Sequence, residues 1–379
     1  MANETVLKNA RIVLRDEIVN GSILMRDGKI AAIDHGNPNS GEDMDGDYVI
    51  PGLIELHTDQ LEAHYAPRPK VRWNVDAAVQ AHDAQVAASG ITTVFDAMRV
   101  GNDYGRDFDG AEMRHLADAI ESGVRENRLR ADHFLHLRCE VSAEDCLEAF
   151  ALFENDERVK LASLMDHAPG QRQFVDLDAY RTYYMRKLKV TDEEFRVHCE
   201  KRIESSNTYS VKHRRTIAQL AGERGIVLAS HDDATSAHVD ESLDHGVRIA
   251  EFPTTLEAAS ASKKAGLSIL MGAPNIVRGC SHSGNIAARD LLDHDSLDIL
   301  SSDYIPFSLI QSAFSLASWE NALALPDAIR LVSINPASAV GMSDRGEIAL
   351  GKRADLVRVR MKGTIPVVRI VWREGERVL

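Results

Sequence analysis

Histidines and carboxylates recur in this chain at the ends of short apolar runs. The stretch Pro51-Gly52-Leu53-Ile54-Glu55-Leu56-His57-Thr58-Asp59 ends in an imidazole and a carboxylate two residues apart. On a strand, residues i and i+2 point the same way, so His57 and Asp59 present these groups side by side. The pattern repeats. His136, Arg138 and Glu140 share one face of a run over 133–140, and another run ends at Asp166-His167. Two further runs end at Ser230-His231-Asp232-Asp233 and Ser301-Ser302-Asp303. Two or three histidines with carboxylates, and without cysteine, suit a borderline-hard divalent ion such as zinc, manganese or iron. Glu140 is a carboxylate that could bridge two ions ~3.5–4 Å apart, as two-metal hydrolysis requires. Asp303 is best placed to take a proton from a water that the metal activates. Asp166 and Asp232 read instead as helix caps or groups that orient ligands.

Bringing such groups to one rim takes a frame of parallel strands whose C-terminal ends meet. Strand-like runs occur near 50–57, 91–96, 133–140, 159–167, 226–231, 247–252, 267–272 and 298–303, with helical patterns between them. Gly90 and Gly225 stand just past helix ends, where a left-handed cap is wanted. Eight strands alternating with helices over residues 51–339 predict a (β/α)8 TIM-type barrel. A doubly wound sheet is the competing architecture, but the charged strand ends favour closure. Residues 1–50 and 340–379 are instead rich in short strands, with turn signals at Asp27-Gly28 and Glu374-Gly375. Their simplest arrangement is one small composite β-sandwich. The connection over about 168–216 is longer than an αβ unit needs. Between Gly170 and Arg215 it holds eleven Lys/Arg against seven Asp/Glu, net +4. It reads either as a lid carrying positive charge over the mouth or as an ordinary solvated helical insertion.

A chain of 379 residues with 44% hydrophobic and 27% charged residues can bury a large core. No apolar run approaches the ~18 residues of a membrane span. The start lacks a basic region followed by an apolar one, so nothing marks it for export. Cys139, Cys146, Cys199 and Cys280 form no C-x-x-C pair, which fits a reduced, cytoplasmic protein without a thiolate zinc site. A net charge of −14 argues against a nucleic-acid partner, while leaving room for a local basic pocket.

P-G-L-I-E-L-H-T-D after a β-rich N-terminus, the aspartate of the eighth run and G-K-R-A-D-L (351–356) resemble the amidohydrolase superfamily over essentially the whole chain. That resemblance implies a barrel with a flanking β-sandwich, one or two divalent ions, zinc first, and pairing into a homodimer. This sequence departs from the usual pattern in carrying His57-x-Asp59, no lysine ending the fourth run and no histidine in the sixth. Glu140 is the expected substitute for the missing lysine. Within the superfamily, M-D-H-A-P-G-Q-R-Q-F (165–174), L-A-S-H-D-D-A-T (228–235), A-E-F-P-T-T (250–255), M-G-A-P-N-I-V-R-G (271–279), S-H-S-G-N (281–285) and S-S-D-Y (301–304) resemble the alpha-D-ribose 1-methylphosphonate 5-triphosphate diphosphatases. That family implies cleavage between the α and β phosphates of a small anionic sugar triphosphate. The expected metal set is His57, Asp59, Glu140, His167, His231 and Asp303, with Asp303 also the base. Arg138, Gln171, Arg172, Arg278, His282 and Asn285 are the expected phosphate donors, arginine because its planar fork matches phosphate oxygens. Two alternatives stand beside this. One is hydrolysis of an amide or cyclic amide, and the other a non-catalytic barrel used as a scaffold.

Overall fold

In the computed structural model, described for residues 4–102, 108–172, 181, 191–281, 285–319 and 323–379, strands form two separate sheets. The first uses both ends of the chain: β1 (Glu4–Val13), β2 (Ile18–Arg26), β3 (Lys29–Asp34), β4 (Glu42–Asp43) and β5 (Tyr48–Pro51) come from the N-terminal side. The second holds β6 (Leu53–Thr58), β7 (Ile91–Val100), β8 (Asp132–Glu140), β9 (Val159–Met165), β10 (Val227–His231), β11 (Ile249–Glu251), β12 (Ser268–Gly272) and β13 (Ile299–Ser301). The chain then returns to the first sheet as β14 (Leu356–Lys362), β15 (Ile365–Arg373) and β16 (Glu376–Arg377).

The terminal sheet runs β16-β15-β14-β5-β1-β2-β3, with β4 beside β1. It curls back on itself: Ile30 N donates to Lys352 O and Ala354 N to Gly28 O, tying its β3 edge to the segment that enters β14. The enclosed core includes Leu7, Ile23, Met25, Val49, Leu356 and Trp372. The expected pairing of the two ends is therefore present.

The second sheet runs in chain order from β6 to β13, all neighbours parallel. Ile54, Phe95, Leu161, Ala229, Ile249, Leu270 and Ile299 fill its interior, and helices cover the outside. The run expected over 50–57 is in fact two strands belonging to two sheets. They part at Gly52, where a Cβ would press into the Thr92 side chain, so only glycine lets the chain cross this close. Gly90 and Gly225 take positive φ, +84° and +65°, just past helices Val75–Ala88 and Asp192–Arg224. No helix among the described residues is long and apolar enough to cross a membrane.

The barrel's seam lies between β13 and β6. Thr58 bridges Asp303, Asp303 N donates to His57 O (3.0 Å) and Asp59 N to Asp303 O (3.2 Å). Glu55 completes it. Its fully buried carboxylate accepts from His57 N (2.7 Å), Ser301 Oγ (2.5 Å) and Ser302 N (2.6 Å). Burial raises the Glu55 pKa, against the pull of these donors.

Candidate active site

The C-terminal ends of the barrel strands enclose a cavity of about 660 Å³. His57, Asp59, Arg138, His167, His231, Arg278, Asn285 and Asp303, all singled out from the sequence, line it. Three strand-end residues there take left-handed backbone: Asp232 (φ 57°), Phe252 (φ 53°) and Asp303 (φ 55°). Aspartate tolerates that region, whereas for a bulky phenylalanine it is strained, and such residues persist where the surroundings fix them. Phe252 is fixed between two imidazoles, its ring centroid 5.2 Å from His57 and 5.4 Å from His231.

The histidines are held from behind by carboxylates. His57 Nδ1 and His231 Nδ1 each lie 2.7 Å from an oxygen of Glu251, which also accepts from Ser163 Oγ (2.8 Å). His167 Nδ1 lies 2.5 Å from Glu140 Oε2. A ring that donates Nδ1–H to a carboxylate turns its Nε2 lone pair outward, the usual way a protein orients a metal-binding imidazole. Burial alone would raise the Glu251 pKa, but the neighbouring His57 and the hydrogen bonds it accepts hold it well below the carboxylate range. Burial opposes the charge on His57 too, yet the Glu251 carboxylate wins and raises its pKa. Burial depresses the His136 pKa to about 3; its Nδ1 lies 2.9 Å from Leu56 O and its Nε2 2.5 Å from Ser163 Oγ.

One point in this arrangement calls for a cation. Asp232 is buried, and its Oδ2 accepts no hydrogen bond. His231 Nε2 lies 3.3 Å from it and His167 Nε2 3.9 Å. Two outward imidazole nitrogens around an unsatisfied buried carboxylate oxygen fit a divalent ion with N and O ligands.

Several expected roles move. Asp232 joins a metal-competent group, where the sequence suggested a helix cap or a group that orients ligands. Asp59 lies past the end of β6 and pairs with Arg138 Nη1 (3.0 Å), outside the metal-competent groups of the described residues. The register slips between Glu55 and Thr58, so strict alternation fails there. Glu140 does not line the cavity. Its oxygens are taken by His167, Ser142 and Arg202, so it stands behind a ligand and bridges nothing in view. Arg172 is buried against Asp233 and Glu241, and Gln171 does not reach the cavity wall. His282 lies outside the described residues. The insertion is no lid among its described residues. Arg202 of helix Asp192–Arg224 reaches Glu140, while Ser206 and Ser210 donate to Asp166 Oδ2 at 2.8 and 2.7 Å. Glu251 and Glu55 escaped the sequence reading, although each is a lone carboxylate in an apolar strand, a position that needs partners.

Residues 48–378 match the Amidohydrolase family. The chain belongs to the amidohydrolase family. It is 47% identical over 98% of its length, and 100% of the relative's, to the alpha-D-ribose 1-methylphosphonate 5-triphosphate diphosphatase of Escherichia coli K12. It is 27% identical to an imidazolonepropionase of Deinococcus radiodurans, over 83% of this chain and 78% of that one. The fold is shared with N-acetyl-D-glucosamine-6-phosphate deacetylase of Mycobacterium smegmatis (TM-score 0.65, 14% identity, 100% of both chains). A 5-methylcytosine deaminase of Klebsiella pneumoniae is as close (TM-score 0.65, 14% identity, 99% and 98%).

Proposed function

We propose that this protein is a metal-dependent diphosphatase that cleaves alpha-D-ribose 1-methylphosphonate 5-triphosphate between its α and β phosphates. The observation that carries this is the 47% identity along the whole chain to a diphosphatase of that name. The cavity supports it: Arg68, Arg72, Arg99, Arg138 and Arg278 line a space that also holds the imidazoles and Asp303. A neutral cyclic amide would make little use of five arginines, even with Arg72, Arg99 and Arg138 paired to carboxylates.

His167, His231 and Asp232 would hold the ion, zinc in this reading. When bound there, a divalent ion supplies neutralisation of phosphate charge and a lowered pKa for water. The chain's own residues do the rest. Asp303 takes the proton of the attacking water as its oxygen bonds to the α phosphorus. The bond from that phosphorus to the bridging oxygen breaks, and its electron pair leaves on diphosphate. Phosphoryl transfer is mostly positioning and charge neutralisation, so the arginines carry much of the work.

Phosphorus NMR of the metal-loaded protein with this triphosphate tests the reading. Diphosphate and the sugar 5-phosphate should appear together. Stepwise orthophosphate would mean attack at the γ position, and no turnover with metal bound would overturn the assignment.

A further inference from the structure

The arginines of the cavity are unevenly placed. Arg68 and Arg72 follow β6, Arg99 lies on β7 and Arg138 on β8, so four cations share one wall. The wall four strands round the ring, at β11 and β12, offers Phe252, Pro253, Met271, Pro274 and Ile286, with Arg278 as its single arginine or lysine among the described residues. We propose that the substrate lies across this asymmetry. The diphosphate leaving group rests on Arg99 and Arg138 at the β7–β8 side of this wall, away from the β13–β6 seam that holds Asp303, and a singly charged phosphonate ester at the sugar's other end sits under Arg278. This rests on the diphosphatase reading above.

Charge and geometry agree. A diphosphate carries more charged oxygens than a phosphonate monoester, and the β7–β8 side offers two guanidinium forks, each braced by a carboxylate, against one at Arg278. The apolar side chains around Arg278 suit a sugar and a methyl group. In-line displacement puts the leaving group opposite the attacking water. With Asp303 as base beyond β13, the leaving group points toward β8 and β9, where Arg138 waits with a buried Nε that has no hydrogen-bond partner. Glu112, Glu62 and Asp59 brace Arg72, Arg99 and Arg138 at 2.6, 2.5 and 3.0 Å. Each pair fixes the direction of its guanidinium. Arg278, the last residue of helix Ala273–Arg278 ahead of its left-handed cap Gly279, has no ion pair among the described residues.

The test compares two substrates on the metal-loaded full chain: the methylphosphonate triphosphate, and ribose 5-triphosphate, which lacks the phosphonate. The readout is the ratio of their kcat/KM values, or of competitive inhibition constants if the second is not turned over. Arg278→Gln should lower the preference for the phosphonate about 10–100-fold, the worth of one charge-assisted contact, and leave inhibition by inorganic diphosphate unchanged. Arg99→Gln should weaken diphosphate inhibition and leave the preference alone. If Arg99→Gln melts early, Arg99→Lys keeps the charge beside Glu62 and removes the fork. An unchanged preference in Arg278→Gln, or diphosphate inhibition weakened by it, overturns the assignment while the diphosphatase reading stands. Wild-type protein inert toward both substrates overturns the two together.

Discussion

Two buried clusters of the same residue types have opposite fates in this fold. At the rim, His57, His167 and His231 lean on Glu251 and Glu140, and the group ends in an Asp232 oxygen that accepts no hydrogen bond. Outside the strands, His82 Nε2 and His133 Nδ1 lie 2.6 and 2.7 Å from the two oxygens of Asp96, with Asp83 tied to Arg130 (2.8 Å) behind them. In the outer cluster both Asp96 oxygens are taken, and the buried His82 Nδ1 left without a hydrogen-bond partner is not part of the lining of the cavity described above. The carboxylates Asp96 and Asp83 outweigh burial and lift the His133 pKa to about 10. Histidines and aspartates in a core thus say little by themselves. What separates a working site from a structural pin is whether an acceptor is left over and faces space.

The largest effect that sharpens this contrast is on chemistry. Asp303→Asn should lower kcat by about 10²–10⁴-fold, the usual worth of a general base, with the melting temperature unchanged. Activity near wild type would remove Asp303 from the reaction. Next comes the outer cluster, where Asp96→Ala should cost about 3–5 kcal/mol in urea unfolding, because it strands two buried histidines. Metal content measured by elemental analysis should stay intact in that variant and fall in Asp232→Asn. The reverse result would exchange the roles of the two clusters. Glu140→Gln should weaken metal affinity by about 10–100-fold, as loss of an orienting partner does, and a chelator competition would show it. The smallest effect is pH-dependent. His133 has a raised folded pKa, so its contribution is complete below its ordinary 6.5 and lost as pH climbs through about 10. Stability of wild type should therefore fall over that alkaline range more steeply than that of His133→Gln, and parallel slopes would show that the ring does not titrate there.

Much of the frame was legible because strand and cap signals are local. Eight runs near the observed positions, and glycines just past two helices, report their own conformation. His57, His167, His231 and Asp303 were legible for the same reason, each ending an apolar run. What escaped depends on distant partners. Glu140 looks like a ligand until His167, Ser142 and Arg202 are seen to occupy it. The surplus of positive charge after β9 was visible, but not that Arg202 and Arg214 of that segment turn inward to Glu140 and Glu241. Asp232 and Asp233 are neighbours in the chain, yet one faces the cavity and the other Arg172. The left-handed turn at Asp232 makes that split, and no composition announces it.

The Glu55 clasp also sets when the site comes into being. Its carboxylate meets Ser301 across 246 positions of sequence, so the floor of the cavity waits on one of the longest loop closures in the molecule. During synthesis the N-terminal parts of a chain emerge first. His57, His167, His231 and Asp232 would all leave the ribosome before the strand that seats His57 and supplies Asp303. A chain stopped short of residue 299 should then carry most of the ligands and bind metal poorly, a difference that metal titration of the truncated protein would reveal.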